Sequence, residues 1–435
     1  MILLGLVLPL GLGLVFWFRA LDQNPNVSIP MPTMPATNAR DYYVAASNAV
    51  VDGGKIGFAV GSWNPVTKPS GDWHFYSPAD KAKLVAENAK VIQTLRTGFQ
   101  YPYQEPPSRS FNTMFPHYQK IRALARLLSL QAQVDAEKGD AGGAMRASLD
   151  AVQMGETMAR GGPLIGMLVG VACQAIGRQQ AWKATDHLNA AQARMAAHRL
   201  EIIRMSHVPF ADTMQEEEWA GQAGFLELMR RPGWSGELAS AIAPDPSGGQ
   251  SGNSLGRGMF ATRIRLIGKR RILADYTRAL DGMIAEGRQP FAARSPVPAV
   301  SPAADPISDM ITPVFGNTRL NEVKADTENA LLLTTLALRA YRLDHGAYPL
   351  TLAGLAPGYL QAVPADPFAL SGPLRYKPLG ARYVLYSVGP DGKDDGGAAI
   401  FDRTKPAPTN AEGSDRRHEV QENSQGDIVA GVNIS

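Results

Sequence analysis

Two proline-rich interruptions constrain this chain more than any other feature, because proline lacks the backbone N–H that helix interiors and strand ladders use. The first, "LDQNPNVSIPMPTMPATN" at 21–38, and the second, "SPVPAVSPAADP" at 295–306, carry four prolines each. They separate an apolar head, a long middle and a tail. The middle repeats its apolar residues with a helical period, and the tail changes to one helix followed by short β-type runs. The expected fold class is mainly α with a C-terminal α+β module: an N-terminal membrane anchor, an irregular helical array, then a long helix packed on a small antiparallel sheet. The expected limits are 1–20 for the anchor, 21–38 for a proline-rich stalk, 39–290 for the helical body, 291–312 for a proline-rich linker and 313–435 for the α+β module.

Residues 2–18, "ILLGLVLPLGLGLVFWF", contain no charge. As a helix they span about 25 Å, enough for the hydrocarbon core of a bilayer, with Trp17 and Phe18 at its interface. An uncleaved anchor is favoured over a cleaved signal, because Phe18-Arg19-Ala20 lacks the small residue a signal peptidase needs. The expected location is the cell membrane, through a single-pass anchor at 2–18 with the body outside the cytoplasm. Arg19 on the downstream side argues mildly the other way. The extended stalk would lift the body off the membrane.

The middle is dense in helix signals. Asn38 and Ser77 are cap candidates, the latter before a proline and a helix over 78–98. Ile121, Leu124, Ala125, Leu128 and Ala132 form an apolar stripe; Gly139 ends that helix, and Asp140 can cap the next, whose stripe is Ala144, Ala147, Ala151 and Met154. Residues 163–176, "PLIGMLVGVACQAI", are apolar all round but too short to span a bilayer, so a buried helix is expected. Gly162, Gly166 and Gly170 would let a neighbouring backbone come close. Further helices are expected at 189–207, 212–231, 258–286 and 319–343, and strands at 374–377 and 382–387.

Forty-three basic and 40 acidic residues leave a net charge of +3, so a nucleic-acid partner is not expected. Cys173 is the one cysteine, which excludes an internal disulfide; in an apolar helix its thiol is expected to be inert. No small-molecule substrate is identifiable. The best enzyme-like grouping is "HVPFADTMQEEEW", where Asp212 and Glu216 stand four apart on a helix that follows His207. Such a group could trade protons in an extracytoplasmic hydrolase. The plainer reading makes Asp212 a helix cap and leaves Glu216 in solvent. His74, His117, His187 and His198 are scattered without metal-site spacing. The basic run "RIRLIGKRR" at 263–271 could rest on anionic headgroups, or be a solvated helix face with Asp275 pairing Arg271.

The tail holds the most distinctive stretch, "LYSVGPDGKDDGG" at 385–397. Its glycines and aspartates suit a hairpin turn or an oxygen cage for a cation. A phosphate loop is disfavoured, because three carboxylates repel phosphate and no Gly-Lys-Ser/Thr follows. Several features occur together: the helix end Ala340-Tyr341-Arg342-Leu343-Asp344, then Gly346, Tyr348-Pro349, Gly354-Leu355, Pro364, Asp366-Pro367, Tyr376 and Ser387-Val388-Gly389-Pro390-Asp391-Gly392. In these the module resembles the globular domain of type II secretion major pseudopilins, over about 80 of the 435 residues, or about 110 if "GDIV" at 426–429 is its closing segment. The resemblance implies a structural calcium ion (Ca2+) held by Asp391, one or both of Asp394 and Asp395, and Asp427, with Asp402 as the substitute for Asp427. The family's basic leader, cleavage site and helix-embedded glutamate are missing, and Lys324, Asp326 and Glu328 stand at the start of the helix. The chain is therefore not expected to polymerise as a pseudopilus subunit. The helical body resembles exported bacterial proteins of no assigned function. The expectation is a membrane-anchored extracytoplasmic interaction or scaffold protein with protein partners, linked to a type II-like secretion system.

Overall fold

The computed structural model describes residues 17, 19–61, 76–242, 254–293, 306–405 and 416–433, with the side chains of all of these except 242, 254–257 and 306–316. The apolar run 2–18 lies outside the described residues apart from Trp17, as does His74. Among the described residues, no helix is long and apolar enough to cross a membrane. The chain is mainly helical and closes with a three-stranded antiparallel sheet: β1 (Arg375–Leu379), β2 (Arg382–Ser387) and β3 (Ile428–Val429), in that order. In its register Tyr376 faces Leu385, Ser387 faces Ile428 and Tyr386 faces Val429, so "GDIV" supplies the third strand.

Local chemistry sets most helix starts where the sequence marks them. The Asn38 side chain accepts from Arg40 N–H, Ser77 and Asp80 form a reciprocal capping box, Asp140 accepts from Gly143 N–H, and Asn189 pairs with Gln192. The expected helix at 78–98 is broken into Pro78–Glu87 and Ala89–Gly98, because buried Asn88 bonds both backbone groups of Val51 and the Leu84 carbonyl. The expected helix at 258–286 is likewise two, Ser254–Ile267 and Lys269–Gly287, parted at Gly268 with φ +88°. The helix expected at 212 starts two residues earlier, at Phe210, after Pro209; Asp212 makes no capping bond.

The segment 21–38 is extended, but it does not stand clear of the body. Lys269 Nζ binds Asp22 Oδ1 at 3.1 Å and Asn24 Oδ1 at 3.0 Å, Trp234 Nε1 donates to Asp22, and Arg109 donates to the Pro30 carbonyl at 3.0 Å. A proline-rich chain keeps its carbonyls unpaired, so a neighbouring arginine can clamp it.

The tail helix is the largest departure. It runs over Pro306–His345, 40 residues, beginning inside the expected linker. Leu331, Leu332, Leu333, Leu336 and Leu338 are buried on several of its sides, because helices of the body cover one part and the sheet another. One hydrophobic cluster passes through it, from Ala144 and Leu200 in the body to Phe368, Leu385 and Ile428 in the module. Each fully buried leucine there contributes roughly 2 kcal/mol against exposure. Polar ties cross the same seam: Gln361 N–H donates to Glu201, and Arg339 to the Leu188 carbonyl.

Candidate functional site

The Ala141–Thr157 and Leu164–Thr185 helices touch backbone to backbone. A Cβ on Gly155 would sit 2.3 Å from the Gly170 carbonyl oxygen, and one on Gly170 equally close to that of Gly155. Only glycine permits this approach; of the three glycines expected on this face, Gly170 makes it, while Gly166 makes room for the Tyr118 hydroxyl and Gly162 has ordinary contacts. Beside the crossing, the turn after the Ala190–Met205 helix brings in His207, and the long helix brings in Glu322, Asp326, Glu328 and Asn329.

There His207 is held between two carboxylates. Nδ1 lies 2.7 Å from Glu156 Oε1 and Nε2 lies 2.7 Å from Glu322 Oε1. Burial works against the imidazolium, but the hydrogen bonds and charges of both glutamates win, and its pKa rises to about 11. Burial pushes the Glu322 carboxyl up, and bonding to His207 opposes that shift. One helical turn further in, fully buried Arg178 donates to Glu328, Asn329 and Gln174, while Asn329 Nδ2 donates to Gln174 at 2.9 Å. Arg204 binds Asp326 through two nitrogens, at 3.0 and 2.9 Å.

The chemistry open to this group follows from the pKa. A general base works best with a pKa near the working pH, and an imidazolium held up to about 11 neither takes nor gives a proton readily at neutrality. The adjoining cavity, lined by Glu156, Gln174, His207, Glu322 and Asp326, has a volume of about 20 Å³, room for about one water. The group is a polar lock between the long helix and the body.

The hydrolase residues are not brought together. Asp212 is exposed, and Glu216 binds Arg109 at 3.4 Å. Burial raises the pKa of Glu216, and Arg109 opposes it. His207 faces Glu156 and Glu322 instead. Glu217 accepts from Leu164 N–H at 2.9 Å, serving the start of the helix there. His117 sits 3.3 Å from buried Glu105, which also accepts from Tyr103 and Arg40. Burial raises the pKa of Cys173 to about 12, as expected of an inert thiol.

The acidic loop is closed by the chain's own donors. Asp427, fully buried, accepts from Gly397 N–H at 2.6 Å and Asp395 N–H at 3.4 Å. Asp394 accepts from Tyr386 OH and Gly396 N–H, both at 2.9 Å, and Arg375 Nε lies 3.5 Å away. Lys377 donates to the Gly396 carbonyl at 2.7 Å. Asp391 accepts from Lys393 N–H, and Asp402, the substitute ligand, turns onto Thr404. Asp394, Asp395 and Asp427 thus lie close enough to act on one another, while Asp391 closes a turn of the same loop and Asp402 is engaged elsewhere. Burial raises the pKa of Asp427 and the neighbouring Asp394 and Asp395 raise it further, so added positive charge would be favoured there. Yet among the described residues, no three His, Cys, Asp or Glu side chains are placed to hold a metal ion. As folded, these carboxylates accept from N–H groups of the acidic loop itself.

The motif residues that carry the family resemblance do have visible work. Buried Asp366 accepts from Ser387 Oγ at 2.5 Å, Val388 N–H at 3.0 Å and Phe368 N–H at 3.1 Å, tying "DPF" to the start of the acidic loop. No protein-family model, curated protein or solved structure matches the chain.

Proposed function

We propose that this chain is a non-catalytic interaction or scaffold protein, anchored through residues 2–18, with its body outside the cytoplasm and its C-terminal lobe presented to partners of a type II-like secretion system. One observation carries the reading: the Pro306–His345 helix belongs to the cores of both body and lobe, and its Glu322 and buried Glu328 and Asn329 are spent on internal bonds. Such an arrangement favours holding a surface in place over turning over a substrate. The lobe offers exposed Leu350, Leu370 and Leu379 as contact points. The hydrolase alternative lacks a converging carboxylate pair at Asp212 and Glu216. Calcium on the acidic loop is not needed for this role, and titration decides it separately.

The test is to place a photo-cross-linking amino acid at Leu350, Leu370 or Leu379 in cells, alongside alkaline extraction of membranes and external protease. The expected result is a membrane-retained, externally cleavable protein giving discrete adducts with an envelope protein. An alkali-extractable protein with no adduct at any position would overturn the reading.

A further inference from the structure

The chain leaves the apolar run and is fastened at once to the break between two basic helices. Leu21 packs on Gly268: its Cδ2 and carbonyl oxygen lie 2.9 and 3.2 Å from where a Gly268 Cβ would stand. Asp22 and Asn24 then bind Lys269, whose ammonium lies 5.6 Å from the Trp234 ring centroid. Phe18, the last residue of the run, is three residues from Leu21, at most about 10 Å of chain. That reach is close to one Debye length at physiological salt, so charges near Gly268 lie within the field of a bilayer holding the run.

The surface there suits such a plane. Met259, Arg263 and Leu266 follow at helical spacing and all are exposed, with Met259 at 69% and Leu266 at 44%. Arg265, on the flank of the same helix, and Arg270, past the Gly268 break and at the groove lined by Pro25 and Val27, are exposed as well. Arg271 and Arg278 are spent on Asp275, but among the described residues no carboxylate forms an ion pair with Arg263, Arg265 or Arg270. Exposed apolar side chains with arginine on their face and flank are the pattern of an interfacial helix.

We propose that Met259, Arg263, Leu266, Arg265 and Arg270 form a docking face that lies on anionic lipid headgroups, so that the body reclines on the bilayer it is anchored to. This rests on the anchoring reading above. Each arginine in the headgroup layer multiplies partitioning about fivefold.

Cys173 is fully buried, so a thiol-reactive fluorophore labels the full-length Met259→Cys protein at one place. The labelled protein is put into nanodiscs carrying headgroup-level quencher lipids, in phosphatidylcholine alone or with phosphatidylglycerol. The expected result is strong quenching with phosphatidylglycerol, several-fold less without it, and loss in high salt or on Arg263→Gln with Arg270→Gln. A label at Leu350→Cys should stay unquenched. Equal quenching in both lipids, or none with phosphatidylglycerol, overturns the proposal. If the protein leaves the disc in alkali, the anchoring reading has failed, and flotation with phosphatidylglycerol vesicles decides the docking face by itself. Arginine-dependent flotation supports it, and no flotation overturns it.

Discussion

The polar lock around His207 and the acidic loop at 389–397 both gather negative charge, yet they neutralise it by different means. In the lock, Glu156, Glu322, Asp326 and Glu328 are met by His207, Arg204 and Arg178, full cations from distant parts of the chain. In the loop, the carboxylates are met by N–H groups of neighbouring residues, with Arg375 and Lys377 at the rim. The difference is not burial alone, since fully buried Asp427 is met by N–H dipoles while His207 and Asp326 are partly exposed. It is one of reach: the glycine-rich loop turns its own N–H groups onto its carboxylates, whereas those of the lock sit on helices whose N–H groups are already bonded, so side-chain cations must meet them.

The largest expected effect follows from removing one cation from the lock. Arg178→Met takes from Glu328 its nearest cation, leaving Lys324 Nζ at 3.8 Å, and should cost about 4 kcal/mol in chemical denaturation, with much of it recovered in Arg178→Met with Glu328→Leu. Failure of the double variant to recover would mean that the lock holds the fold by more than charge balance. His207→Gln should cost about 3 kcal/mol near pH 6. Its folded pKa of about 11 stands above the 6.5 of a free imidazole, so the stabilisation is full below about pH 6.5 and is lost as pH climbs towards 11. Thermal melts of wild type and variant should therefore converge on the alkaline side, and parallel curves would count against an imidazolium.

The loop should respond less. Asp427→Ala leaves the Gly397 and Asp395 N–H groups without their acceptor and should cost about 2 kcal/mol. Asp394→Ala removes surface bonds and should cost below about 1 kcal/mol, falling further in high salt, which should leave the lock untouched. Saturating calcium should move the full-length Tm by no more than about 2 °C. A larger shift that vanishes in Asp427→Asn would show the loop rebuilding itself around the ion, and the contrast drawn here would narrow.

What could be read beforehand follows the same divide. Caps at Asn38, Ser77 and Asp140 and the two strands of the hairpin are local signals, and local bonds made them. The lock was missed because its partners come from four separate segments. A trace was present: the four-residue ladder Gly162, Gly166, Gly170 continues into Gln174 and Arg178, so the polar pair shares the buried face. Likewise Glu322, Asp326 and Asn329 fall on one side of the long helix. The early start of that helix and its burial in the body were illegible, because Pro313, the eighth residue of the helix, reads as a helix boundary and the covering helices are remote in sequence.

The 40-residue helix is about 60 Å long, with the Arg178, Arg204 and His207 grips near its middle, further ion pairs at Arg319 and Asp344, and the small sheet at its far end. Mechanically it is a spar stepped into a hull. Tension along its axis would load the Arg178, Arg204 and His207 attachments in shear, all at once, whereas a sideways tug at the tip would peel them one after another. The lobe is therefore built to withstand traction in one direction and to yield in the other.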